Sequence, residues 1–137
     1  MSVRSVFYYF HWHEVQLMIL ICVVDDDASV RNGLTNLLNS LGYATVSFAS
    51  GEAFLASAAS DDAQCVLLDL VMQGIQGLEV LQQLKRTGKT VGVCCMSAND
   101  DSDTVRRTLA AGAVDFLCKP FSEEALQSSI KRVLERR

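Results

Sequence analysis

The chain has 137 residues, half of them apolar and a fifth charged, with a formal charge of −4. That length gives one domain with one real core. The acidic balance argues against nucleic acid bound by this chain itself, since such domains carry a basic face. The longest apolar run, Leu17 to Val24, is far short of the roughly 20 residues that cross a membrane as a helix.

The opening stretch, Met1 to Gln16, does not follow the pattern of the rest. It gathers aromatics (Phe7, Tyr8, Tyr9, Phe10, Trp12) and both histidines, His11 and His13. Two histidines at that spacing beside Glu14 are weak support for a metal site. The polar residues also break up any signal-peptide core, and no small-residue cleavage site follows. Residues 1–17 are therefore expected to be an extension, with the domain over 18–137. Met18, at the start of the first core strand, is a candidate translation start.

Leu17 to Val24 reads as a strand buried on both faces, closed by Asp25-Asp26-Asp27. Val30, Leu34, Leu37, Leu38 and Leu41 then mark one face of a helix. Asp27 or a neighbour caps it and Gly42 ends it. Tyr43 to Phe48 alternates with Thr45 and Ser47, which predicts an edge strand with one wetter face. Ser50 caps a short helix holding Phe54 and Leu55. Ser57 to Gln64 is small and polar and reads as a loop.

Cys65 to Leu68 is again apolar and runs straight into Asp69. Gln73 to Gly77 is a loop by its glycines. Leu78, Leu81 and Leu84 make a helix face, with Lys85 and Arg86 where cations suit the dipole. Val91 to Met96 is the fourth strand, followed by Ser97-Ala98. A helix capped within Asn99 to Asp103 carries Val105 and Leu109 and stops at Gly112. Val114 to Cys118 is the fifth strand, leading into Lys119-Pro120. Ser122 caps the last helix, whose core face is Leu126, Ile130, Val133 and Leu134. The five cysteines, Cys22, Cys65, Cys94, Cys95 and Cys118, all sit in apolar runs with no C-x-x-C pair. They are expected to be buried free thiols.

Strand and helix thus alternate five times, which implies an α/β fold with a parallel sheet covered on both faces. Right-handed crossovers reach both faces only if the winding reverses once. The edge character of the second strand selects the order 2-1-3-4-5. Ligands in such sheets bind at the carboxyl ends of the strands, at the reversal. Asp25 and Asp26, Asp69, Ser97 and Lys119 all fall at those ends. Three carboxylates so close need a cation, and an all-oxygen set of few protein ligands suits Mg²⁺. Ser97 and Lys119 would hold the remaining oxygens of a phosphoryl group.

These residues carry a resemblance. Val23-Val24-Asp25-Asp26-Asp27, Leu67 to Met72, Met96-Ser97-Ala98 and Phe116 to Phe121 resemble the receiver domain of two-component response regulators, over residues 18 to 136. The fold implied is the flavodoxin-like one. Ala110 to Phe116 further resembles the FixJ-like receivers of transcriptional regulators. The resemblance implies that Asp69 accepts a phosphoryl group from a histidine kinase or phosphotransfer protein. Asp26, Asp69 and the Val71 carbonyl would bind Mg²⁺ directly and Asp25 through water. Ser97 and Lys119 would contact the phosphoryl oxygens, Ala98 would leave access, and Phe116 would be the aromatic switch. The Lys119–Pro120 bond would be cis. Three positions depart from the family pattern. Gln73 replaces the usual Pro and removes a rigid φ. Ser97 replaces the commoner Thr. Val71 is apolar where it faces the phosphoryl group.

The function implied is a cytoplasmic, phosphorylation-controlled switch acting on an output domain or partner, with transcription as the output. It is not an enzyme, beyond assisting its own phosphorylation and dephosphorylation. A homodimer through the fourth helix, fifth strand and fifth helix is one expected consequence. Two alternatives compete. In the first, Asp25 begins the D-x-D of a haloacid-dehalogenase-like phosphatase and acts as its nucleophile. In the second, the chain is a pseudo-receiver that works without phosphorylation.

Overall fold

The computed structural model describes residues 18–136; the extension expected over 1–17 lies outside them. Five parallel strands form one sheet: β1 (Leu20–Val24), β2 (Ala44–Phe48), β3 (Cys65–Asp69), β4 (Gly92–Ser97) and β5 (Asp115–Cys118). Their order is β2-β1-β3-β4-β5, as expected. Six helices connect them: α1 (Ala28–Ser40), α2 (Gly51–Ala56), α3 (Ala59–Asp62), α4 (Gly77–Arg86), α5 (Ser102–Ala110) and α6 (Glu123–Glu135).

The strand pleat sorts the core into two clusters. Ile21, Val23, Leu67 and Met96 meet Leu34 and Leu38 of α1 and Leu126, Ile130 and Val133 of α6. Val24, Val66, Leu68 and Cys95 meet Phe54 of α2 and Val80, Leu81 and Leu84 of α4. The central strands β1 and β3 are buried along their whole length. The edge strand β2 has no fully buried residue. All five cysteines are free. Burial pushes the Cys22 and Cys94 thiols up to about 12, and those of Cys65 and Cys95 higher still.

Caps fall where the sequence puts them: Asp27 accepts from the N–H groups of Ser29 and Val30, and Ser50 and Ser122 accept from Ala53 and Ala125. Other expectations are corrected. β1 starts at Leu20 rather than Leu17, because its pairing with β2 begins at Leu20 opposite Ala44. The stretch Ser57 to Gln64 is not all loop. The Ser57 hydroxyl accepts from Ala59 N at 3.0 Å and starts the one-turn helix α3. Gly77 opens α4 instead of ending a loop, and the helix buries Gly77, Val80, Leu81 and Leu84, leaving Leu78 half-buried. A Cβ at Gly77 would lie 2.7 Å from the Asp69 carbonyl oxygen, so only glycine lets the helix start against the end of β3.

The expected face of α5 is also wrong. Thr108 is its buried residue, while Leu109 is 43% exposed. The Thr108 hydroxyl donates to the Thr104 carbonyl at 2.7 Å, which makes its burial inexpensive. In α6, Leu126, Ile130 and Val133 are buried and Leu134 packs half-buried on the same cluster, while Ser129, not expected there, is also buried and donates to Asp115 at 2.6 Å.

Candidate functional site

The carboxyl ends of the strands carry the polar groups. Asp25 extends the β1–β2 ladder by one bond, its N–H donating to the Phe48 carbonyl at 3.1 Å. Lys119 does the same after β5, donating from its N–H to the Ser97 carbonyl at 2.8 Å. Asp69 is the last residue of β3, opposite Met96. The ladders thus set the height of each side chain above the sheet.

Asp25, Asp26 and Asp69 converge, with an oxygen of each lying within 4.8 Å of the others. Asp25 is fully buried and Asp69 nearly so, whereas Asp26 is exposed. Asp25 is committed on both sides: Oδ1 accepts from Asp27 N at 2.9 Å and Oδ2 from Lys119 Nζ at 2.9 Å. Lys119 Nζ also stands 3.5 Å from Asp69 Oδ2. The third acid of the run, Asp27, is turned away to cap α1.

The electrostatics follow from this packing. Burial, then the Asp25 charge, raises the Asp69 pKa; Lys119 and a 3.3 Å hydrogen bond from Val71 N oppose the rise without cancelling it. Burial disfavours the Lys119 ammonium, but its hydrogen bond to Asp25 and the charges of Asp69 and Asp25 outweigh that and hold its pKa above the ordinary lysine value. One ammonium therefore serves two of the three converging carboxylates. An all-oxygen donor set with surplus negative charge fits a hard divalent cation such as Mg²⁺.

Ser97 is buried at the end of β4, where its hydroxyl accepts from Asn99 N at 3.0 Å. Ala98 beside it is exposed. Val71 is 67% exposed and points away from the core. Phe116 is half-buried, opposite Cys95, and packs on the α2–α4 side of the sheet. The Lys119–Pro120 peptide bond is cis. A cavity of about 270 Å³ opens between the loops after β3 and β4 and the helix α5, lined by Val71, Ser97, Asn99, Thr104 and Arg107 among others. A larger one of about 460 Å³ lies at the opposite end of the strands, around Gln64, Lys89 and Gly92. There Lys89 is paired with Asp61, and Arg136 donates to the Thr90 carbonyl.

Sequence reasoning missed the groups that hold this site in place. Arg31 on α1 donates from Nη1 to the Asp25 carbonyl at 2.7 Å. The Gln76 amide grips the loop after Asp69, accepting from Met72 N at 3.2 Å and donating to Met72 O at 2.6 Å. Glu52 on α2 accepts from Ile75 N at 3.3 Å. Gln73, which stands where the family usually has proline, donates from its N–H to Asp26 Oδ2 at 2.9 Å. No pattern in the sequence marks contacts between a helix face and a loop backbone.

Comparison with known proteins agrees with the geometry. The model of the response regulator receiver domain matches residues 21–131. Transcriptional regulatory protein FixJ of Azorhizobium caulinodans is 37% identical over 114 residues, which is 83% of this chain and 54% of that protein. Nodulation protein W of Bradyrhizobium diazoefficiens is 33% identical over 123 residues, 90% of this chain and 54% of that protein. The chain thus spans about half the length of these curated relatives. Among solved structures, FixJ-N superposes with a TM-score of 0.79 at 29% identity, covering 90% of this chain and 98% of that one. The response regulator StyR gives 0.80 at 36% identity, covering 87% and 60%. With the fold, the strand-end acids and the matched model in agreement, the chain belongs to the response regulator receiver domain family.

Proposed function

We propose that Asp69 is the phosphoacceptor of a signalling switch. The observation that carries this is the pairing of Asp69, at the end of β3, with Lys119 at 3.5 Å on one side and the acids Asp25 and Asp26 on the other. A carboxylate oxygen of Asp69 attacks the phosphorus of a phosphohistidine. The P–N bond breaks, its electron pair leaves with the imidazole, and an aspartyl phosphate forms. Asp26, Asp69 and the Val71 carbonyl would hold Mg²⁺ directly, and Asp25 through water. The cation would supply charge neutralisation for the transferring group. Lys119 moves from balancing carboxylates to binding a phosphoryl oxygen, and the Ser97 hydroxyl donates to another. Ala98, small and exposed, leaves the donor room. Phe116 follows Ser97 inward. Pro120 closes the turn that aims Lys119.

The donor is a sensor histidine kinase or phosphotransfer protein, and the setting is the cytoplasm. Among the described residues no helix is long and apolar enough to cross a membrane. The added charge and acceptor oxygens bias α5 and β5 between two arrangements. The face made by α5, β5 and α6 then pairs with a second copy or releases a partner. The output is transcriptional, as the names of the matched regulators suggest. The receiver unit covers 18–137 and residues 1–17 extend it.

The phosphatase alternative requires Asp25 as nucleophile. Its two oxygens are engaged by Asp27 N and Lys119, and it has no exposed surface, which favours Asp69. The test is acetyl phosphate with Mg²⁺ followed by intact mass. Wild type gains one phosphoryl group and Asp69→Asn gains none. Equal labelling of the variant would remove Asp69 from the role. No labelling of either would favour the pseudo-receiver.

A further inference from the structure

The loop after Asp69 is tied down at three points. Gln76 holds Met72, Glu52 holds Ile75, and Asp26 holds Gln73. The third tie differs in kind, because Asp26 belongs to the acid cluster. It is the exposed member of that cluster. Asp25 and Asp69 are buried and paired with Lys119. Burial therefore does not fix the orientation of Asp26. The 2.9 Å hydrogen bond from Gln73 N to its Oδ2 does, across 47 residues of sequence. The Gln73 side chain takes no part; only the main-chain N–H does. A proline at this position would have no N–H to give.

We infer that the Gln73 N–H is a positioning group for the cation site, latching Asp26 to the phosphoacceptor loop so that its free oxygen faces Asp69. Carboxylates that ligate metals are themselves held by hydrogen bonds, and losing such a partner weakens binding by roughly 10–100-fold. The latch also joins two parts of the site. Asp26 sits just past β1 and Gln73 in the β3–α4 loop, so a cation drawn to Asp26 steadies the loop that follows Asp69. Glu52 and Gln76 hold the same loop without touching the acids, and besides the local Val71 N–H bond to Asp69 the Gln73 N–H is its contact with the cluster.

This inference rests on Asp26 being a cation ligand, and the test separates the two claims. Mg²⁺ affinity of the full chain is measured for Gln73→Pro and Gln73→Ala, which differ in the main-chain N–H. The proline variant is expected to bind at least about tenfold more weakly than the alanine variant. In an Asp26→Ala background the same two changes are expected to bind equally. A second measurement does not depend on the proline variant folding: amide exchange at Gln73 in the cation-free protein, expected to quicken about tenfold on Asp26→Ala. Equal Mg²⁺ affinity of the two variants at position 73 would overturn the latch. So would a difference that persists without the Asp26 carboxylate, or Gln73 exchange indifferent to Asp26. If Asp26→Ala itself left Mg²⁺ affinity unchanged, the cation-ligand reading would fail and the latch with it.

Discussion

Among the described residues Lys119 is the cation paired with two buried carboxylates, so Lys119→Met probes the electrostatic balance of the whole site. The change keeps the apolar stem and removes the charge. It leaves Asp25, with no exposed surface, without its 2.9 Å partner, and Asp69 without its 3.5 Å partner. Breaking a buried pair by removing one member costs about 3–5 kcal/mol. The low end applies, because Lys119 is 24% exposed and Asp25 keeps the Asp27 N–H. A loss of about 3 kcal/mol, at an unfolding entropy of about 2.1 cal/mol/K per residue, lowers Tm by about 10 °C. The pH dependence has a definite sign. The wild-type contribution of Lys119, whose folded pKa is raised, is full below the ordinary lysine value and lost as pH rises through the folded one. In the variant, Asp69 is pushed further above the ordinary carboxylate range, and the cost of its charge is relieved as pH falls through that raised value. The gap between wild type and variant should therefore narrow as pH falls through the raised Asp69 value, and narrow again as pH rises through the raised Lys119 value. Thermal melts across pH in EDTA measure this, and Mg²⁺ should restore part of the loss at pH 7. A variant that melts with the wild type at pH 7, or loses more at pH 5 than at pH 7, would refute the account.

Three further outcomes follow from the packing. Asp115, at the start of β5, accepts from Ser129 at 2.6 Å and from Arg132 Nε at 2.9 Å. Burial alone would raise its pKa, but those bonds outweigh it and hold the carboxyl below the usual range. Asp115→Asn should cost about 1–2 kcal/mol in denaturant melts, kept modest by the exposure of Arg132. A depressed carboxyl stabilises above the ordinary carboxylate pKa and ceases to as pH falls through the folded value, so the two proteins should melt together in strong acid. Gly77→Ala would press a Cβ to 2.7 Å from the Asp69 carbonyl and 2.8 Å from Leu70 Cα. It should cost about 2 kcal/mol and slow labelling by acetyl phosphate, since backbone must move where the proposed phosphoacceptor sits. By contrast Gly33→Ala, in open space on α1, should raise stability by up to about 1 kcal/mol.

The legible part of the molecule was set by periodicity and strand ends. Four apolar residues running into Asp69 could only be a buried strand emerging at the rim, and the alternation of Thr45 and Ser47 fixed β2 at the edge. Those two readings were enough to give the sheet order and gather Asp25, Asp26, Asp69, Ser97 and Lys119. What escaped depends on contacts that have no period. Arg31 reaches the Asp25 carbonyl from one turn into α1, and nothing distinguishes it in sequence from any exposed arginine. Gln76 and Gln73 act on or through main-chain groups, where residue identity says little. The face of α5 was misread because a threonine that satisfies its own hydroxyl can be buried while a leucine stays out.

That misreading bears on how the switch can work. The helices α1, α4 and α6 each bury at least two large apolar side chains against the sheet, whereas α5 buries only Thr108. Each buried Leu or Val is worth about 1.5–3 kcal/mol, so α5 is held less firmly than its neighbours. Elements with few buried apolar contacts are the ones that move at low free-energy cost. A phosphoryl group on Asp69 gains a few charge-assisted hydrogen bonds, each worth about 1.5–3 kcal/mol. That is of the same order as the burial that retains α4 or α6 and more than the burial that retains α5. The Ser97 end of β4 leads directly into α5, through the Asn99 N–H bond to the Ser97 hydroxyl and the cap at Asp101. On the proposed mechanism, a shift of that hydroxyl toward a phosphoryl group would release the start of the helix that is least able to resist.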